Sequence, residues 1–126
     1  MRILMVEDDK NFGYVLMGEI EAAGYDVHLS ADGVDAVLKF IEGHYDFVLL
    51  DIVMPKLDGI NALRIMKKLR PNVPAITYSG NAGSGEIAES VKAGALRCFT
   101  KPFEISQLLG EIRKYQARHA GARDAN

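Results

Sequence analysis

The chain has 126 residues, enough to bury one core and too few for two domains. Apolar residues at 48% and charged residues at 25% exclude a disordered tail, a fibre or a low-complexity scaffold. Fifteen Lys and Arg against seventeen Asp and Glu leave a charge of −2, which gives no footprint for nucleic acid or an anionic membrane.

Apolar runs of strand length alternate with longer segments of helical period, the signature of a parallel α/β sheet. Ile3 to Val6 opens the pattern as a strand buried on both faces. Phe12, Val15, Leu16 and Ile20 follow at helical spacing and predict a one-sided helix. Val27 and Leu29 then alternate with Asp26, His28 and Ser30, so the second strand reads as an edge, and Val34, Val37, Leu38 and Ile41 mark the second helix. Phe47 to Leu50 is again wholly apolar, as a central strand should be. Ala62, Ile65, Met66 and Leu69 stripe the third helix, whose exit is bracketed by Pro71 and Pro74. Ala75 to Tyr78 and Leu96 to Phe99 supply the fourth and fifth strands, with the weaker stripe Ile87, Ala88 and Val91 between them. Ile105, Leu108, Leu109 and Ile112 mark the last helix; the domain is expected to span 1–119 and residues 120–126 to be a disordered tail. Gly24, Gly43 and Gly94 stand just past helical stripes, where a left-handed C-terminal cap suits a residue without a Cβ. The single Cys98 excludes an intramolecular disulfide and points to a reducing, cytoplasmic compartment, and no run is long enough for a transmembrane helix.

In an open parallel sheet, ligands gather outside the carboxyl ends of the strands, where the winding reverses. The first strand runs into Glu7, Asp8 and Asp9 and the third into Asp51, so carboxylates are expected to converge at one edge. Acids that close repel and shift one another's titration, and the arrangement makes physical sense around a cation. With oxygen ligands and no His or Cys, Mg²⁺ or Mn²⁺ fits better than zinc. The same run also reads as the opening of a helix, whose positive end acids complement, and for Asp9 that is the whole reading. Asp51, for its part, also reads as a turn residue ahead of Met54 and Pro55. The fourth strand delivers Ser79 and then Gly80, the fifth Lys101 and then Pro102. A hydroxyl and an ammonium there can bind phosphoryl oxygens, although singly each reads as a turn hydroxyl and a solvated charge. Taken jointly, the four strand ends carry the parts of one phosphate site. His28 and His44 read as surface residues.

Arg2-Ile3-Leu4-Met5-Val6-Glu7-Asp8, Leu49-Leu50-Asp51-Ile52-Val53-Met54-Pro55, Asp58-Gly59, Tyr78-Ser79-Gly80 and Phe99-Thr100-Lys101-Pro102-Phe103 together resemble the receiver domain of two-component response regulators, over nearly the whole chain. The resemblance implies a flavodoxin-like, doubly wound sheet of order 2-1-3-4-5 with five helices. It implies a phosphoacceptor at Asp51, Mg²⁺ held by Asp8, Asp51 and the backbone carbonyl of Val53 with Glu7 acting through water, a switch hydroxyl at Ser79, and a lysine at Lys101 joined to Pro102 by a cis bond. The partners implied are a sensor histidine kinase or histidine phosphotransfer protein upstream, and a downstream protein target or an effector domain outside this chain. The chain itself is expected to do no catalysis beyond its own phosphorylation and dephosphorylation, and to bind neither nucleic acid nor membrane.

One position departs from the family. The aromatic three residues before the lysine is here Cys98, and Phe99 cannot replace it because successive strand residues face opposite sides. The expected signal is therefore an ordering of the loop Asn81 to Gly85, whose Gly83 and Gly85 let it rearrange at low steric cost. The alternative function is a Mg²⁺-dependent phosphohydrolase with Asp51 as nucleophile, but a general acid is wanted beside it and the residue two positions on is Val53. A flavodoxin-like electron carrier shares the winding, but its flavin phosphate would meet the acid cluster.

Overall fold

The five apolar runs become β1 (Arg2–Val6), β2 (Asp26–Ser30), β3 (Phe47–Asp51), β4 (Ala75–Ser79) and β5 (Arg97–Thr100), paired in parallel in the order β2-β1-β3-β4-β5. This computed structural model describes residues 1–54, 57–80 and 83–124, and of Ser84 and 119–124 the backbone alone. Pro55, Asn81, Ala82 and the last two residues of the expected tail lie outside the described residues. Helices α1 (Lys10–Ala22), α2 (Gly33–Glu42), α3 (Gly59–Leu69), α4 (Ser84–Lys92) and α5 (Ile105–Asp124) alternate with the strands. The α/β class, the strand order and the edge position of β2 agree with the expectation from sequence.

Both faces of the sheet are covered, which is why β1 and β3 are apolar throughout their centres and β4 is fully buried, with Thr77 as its one polar central residue. On one face Ile3, Met5, Phe47, Leu49 and Ile76 pack against Leu16 and Ile20 of α1 and Leu108 and Ile112 of α5. On the other, Leu4, Val6, Val48 and Leu50 pack against Ala36 and Phe40 of α2 and Ala62, Leu63 and Met66 of α3. Helix α4 joins the second face through a hydroxyl contact between Ser90 and Thr77 of β4, both buried.

Leu16 and Ile20 of α1, Ala62 and Met66 of α3 and Leu108 and Ile112 of α5 are buried as expected, but other positions of the expected stripes are not. Helix α2 buries Gly33, Ala36 and Phe40 while Val34, Leu38 and Ile41 face solvent. The reason is close approach: a Cβ on Gly33 would lie 2.1 Å from the carbonyl oxygen of Leu57, so the smallest residues, not the most apolar, mark the seat. Val15 of α1 is likewise exposed, α3 turns Ile60 and Leu63 inward in place of Ile65 and Leu69, and none of Ile87, Ala88 and Val91 is fully buried. Strand β5 starts one residue later than expected because Ala95 takes the interior position and Leu96 is 53% exposed. Gly24 and Gly94 have the left-handed backbone expected of caps, at φ +102 and +114, but Gly43 is extended, at φ −107 and ψ 174. Gly85 belongs to the first turn of α4 and not to the loop before it, and the backbone of α5 continues to Asp124, past the apolar stripe that ends at Ile112. No helix among the described residues is long and apolar enough to cross a membrane.

Candidate functional site

Strand β1 hands the chain to Glu7 and Asp8 at the carboxyl edge of the sheet, and β3, its neighbour, ends in Asp51. One carboxylate oxygen from each of these three residues lies within 4.8 Å of the others, so together they could hold a metal ion. Glu7 and Asp51 are buried and Asp8 is exposed. Asp9 does not join them: it caps α1, its side chain accepting the Phe12 N–H at 3.2 Å, as the helix-opening reading has it.

The position of Asp51 is set by its own turn. Its Oδ1 accepts the Val53 N–H at 3.0 Å, the Ile52 N–H donates to the Tyr78 carbonyl at 3.0 Å, and the Gly59 N–H donates to the Ile52 carbonyl at 3.0 Å. Asp58 caps α3 by accepting the Asn61 N–H at 2.9 Å, which brings Gly59 against the strand end. A Cβ on Gly59 would stand 2.0 Å from the Asp51 carbonyl oxygen, so only glycine lets α3 begin there.

Lys101 arrives from the end of β5 and spans the pocket, its Nζ 3.1 Å from Glu7 Oε1 and 3.2 Å from Asp51 Oδ2. Its backbone N–H donates to the Ser79 carbonyl at 2.8 Å, and its bond to Pro102 is cis. Burial pulls the Lys101 ammonium down, but its hydrogen bond to Glu7 and the charge of Asp51 outweigh it and hold the group above the ordinary lysine range. Burial acts the other way on Glu7: despite its hydrogen bond from the Asp9 N–H, desolvation with the charge of Asp51 pushes it up to about 7. One ammonium therefore does not offset the acids gathered here. The oxygen-only donor set and the excess of negative charge both suit a hard divalent cation.

Of the other residues singled out, Ser79 is buried at the end of β4, Gly80 beyond it is exposed, and the Val53 side chain points to solvent. Cys98 is half-buried and pairs in register with Thr77, so it lies on the side of the sheet that carries α4. Two aromatic rings that sequence reading left in the core belong to the pocket. The Lys101 ammonium sits 4.1 Å from the centroid of Phe12 and 5.2 Å from that of Tyr78. The available signal was weak: Phe12 heads the helix after the acidic run, and Tyr78 is a phenol in a strand that is otherwise closed to water.

The response regulator receiver domain family matches residues 3–113 of this chain. The transcriptional regulatory protein DltR of Streptococcus agalactiae is 34% identical over 113 residues, covering 90% of this chain and 50% of the relative. Among solved structures, the receiver domain of Francisella response regulator 1452 gives a TM-score of 0.86 at 31% identity, covering 93% of this chain and 97% of that one. The CheX-CheY-BeF3-Mg²⁺ complex from Borrelia burgdorferi gives a TM-score of 0.86 at 26% identity, covering 91% and 88%. The chain spans about half the length of the curated relatives it matches.

Proposed function

Because the chain belongs to the response regulator receiver domain family of two-component systems, we propose that Asp51 is its phosphoacceptor and that the chain passes on the signal by a change of partner-binding surface. The observation that carries this reading is joint: Lys101 bridges Glu7 and Asp51 beside Asp8, with the parts drawn from the ends of three strands.

The donor in this reading is a phosphohistidine on a sensor kinase or a phosphotransfer protein. A carboxylate oxygen of Asp51 forms the bond to phosphorus while the phosphorus–nitrogen bond to the donor breaks, its electron pair staying on the imidazole, and an acyl phosphate results. A divalent cation, Mg²⁺ in this proposal, would supply charge neutralisation, and Asp8, Asp51 and the Val53 carbonyl would hold it, with Glu7 acting through water. The Borrelia neighbour, whose complex contains beryllofluoride and Mg²⁺, supports that choice. Lys101 offers its ammonium to the new phosphoryl oxygens as a charge partner and Ser79 its hydroxyl as a hydrogen-bond donor, from neighbouring strand ends. Water later returns the carboxylate and inorganic phosphate. The output in this proposal belongs to a downstream protein or to an effector domain of a longer chain.

Incubation with acetyl phosphate and Mg²⁺ followed by intact-mass measurement tests the assignment. The wild-type chain is expected to gain one phosphoryl group and Asp51→Asn none; an undiminished adduct in the variant overturns it.

A further inference from the structure

The hydroxyl of Tyr78 is buried and has no hydrogen-bond partner among the described residues. Folding should select against this, because phenylalanine would fill the same space without stranding a donor. The ring is firmly seated, with centroids 5.9 Å from Phe12 and 5.7 Å from Phe103, and it forms one wall of the Lys101 pocket. Tyr78 pairs in register with Asp51, and its hydroxyl stands close enough to the acids to feel them. Burial first, then the charges of Glu7 and Asp51, then a hydrogen-bonding interaction with Glu7, raise the phenol well above its ordinary range, so it stays a donor facing Glu7 although no bond of normal geometry joins them.

The carboxylate oxygens of Glu7 and Asp51 already accept other donors. Glu7 Oε1 takes Lys101 and Oε2 takes the Asp9 N–H, while Asp51 Oδ1 takes the Val53 N–H and Oδ2 takes Lys101. Lys101 thus holds one oxygen of Glu7 and one of Asp51, and with the phosphoryl group on Asp51 the carboxylate oxygen that comes free when Lys101 turns to it is on Glu7. We propose that Tyr78 is a positioning residue of this site, its hydroxyl donating to the Glu7 carboxylate when Lys101 leaves Glu7 for the phosphoryl group on Asp51. The proposal rests on the phosphoacceptor reading above. The stranded donor is then the cost of the resting state, and the bond it makes stabilises the loaded one.

Two consequences have opposite signs. Tyr78→Phe should raise the melting temperature of the metal-free protein, because it removes the unpartnered hydroxyl. It should also raise the beryllofluoride concentration for half-saturation in Mg²⁺ by about tenfold, because a hydrogen bond to a charged group is missing. A residue that only fills the core would not separate the two. The experiment uses the full chain labelled with ¹³C at tyrosine Cζ, where Tyr14, Tyr25, Tyr45 and Tyr115 serve as internal references. Adding Mg²⁺ and beryllofluoride should produce bound ¹⁹F signals and move the Tyr78 Cζ resonance. Bound ¹⁹F signals with an unmoved Tyr78 resonance, or with unchanged half-saturation in Tyr78→Phe, overturn this proposal and leave the phosphoacceptor reading standing. No bound ¹⁹F signal in the wild type overturns both.

Discussion

Helices α3 and α4 stand side by side on one face of the sheet, and different forces hold them. Helix α3 buries Gly59, Ile60, Ala62, Leu63 and Met66, and full burial of a large apolar side chain contributes roughly 1.5–3 kcal/mol. Helix α4, among its described side chains, buries Ser90 alone, which meets the Thr77 hydroxyl. Its outer tie is the exposed Arg64–Glu89 pair at 3.3 Å, a class of contact worth about 1 kcal/mol at most, and its N-cap Gly83 offers no side chain to the orphan N–H groups. The helix after Asp51 is therefore fixed by packing, whereas the helix after Ser79 is held, among the described residues, mainly by polar contacts. Elements with few buried apolar contacts open first, so the strand end proposed to receive the phosphoryl group is rigid and the one proposed to sense it leads into a helix that shifts at low cost.

The comparison breaks most severely at Gly59. Gly59→Ala puts its Cβ 2.0 Å from one backbone atom of Asp51 and 2.8 Å from another, and neither can swing away. The expected loss is above about 4 kcal/mol in urea unfolding, or no folded protein, with phosphoryl uptake falling as Asp51 is displaced. A loss under about 1 kcal/mol would show that α3 is not anchored there. Next comes Leu63→Ala, expected at about 3 kcal/mol from transfer and cavity terms. Val91→Ala on α4 should change stability by less than about 0.5 kcal/mol, since Val91 already faces solvent. Equal losses from the two truncations would erase the distinction between the helices.

The topology and the acid cluster were legible in the sequence for one reason: both follow from where apolar strands stop. Once β1 and β3 are central and parallel, Glu7, Asp8 and Asp51 must leave the sheet at the same edge. The helix faces were harder, because hydrophobic spacing weighs Val34, Leu38 and Ile41 and gives no weight to Gly33 and Ala36, yet closeness of backbones decided the seat of α2. Phe12 and Tyr78 are apolar by composition and count as core in any linear reading. Only the convergence of α1, β4 and the end of β5 puts their rings around an ammonium. The weaker stripe Ile87, Ala88 and Val91 already signalled the loose seat of α4, but not its tie, which is between two hydroxyls that carry no hydrophobic signal.

That tie gives a sharper test of smaller size. Thr77→Val or Ser90→Ala alone leaves one buried hydroxyl without its partner, expected to cost about 1–2 kcal/mol. The double variant should return close to wild type, because no stranded group remains. A positive coupling of that kind in a double-mutant cycle measures the contact itself. Additive losses would show that α4 is held by something other than the hydroxyl pair.

The smallest expected effect on stability is at Cys98, and it bears most on signalling. Cys98 pairs with Thr77, so a larger side chain at this half-buried edge position would stand beside the Thr77–Ser90 contact without entering the core. Cys98→Tyr should leave the unfolding free energy within about 0.5 kcal/mol of wild type. Its effect should appear in amide exchange. In the wild-type chain, beryllofluoride and Mg²⁺ are expected to slow exchange across Gly83–Lys92 as α4 settles into one of its available positions. With the tyrosine present, α4 gains an apolar surface that can be packed in one position and exposed in another, and a two-position contact enlarges the difference between the populations at either end. The rise in protection should therefore be larger in Cys98→Tyr than in the wild type. An equal rise would mean that residue 98 takes no part in moving α4, and protection changes confined to the turn around Asp51 would mean that the loosely held helix is not the element that carries the signal.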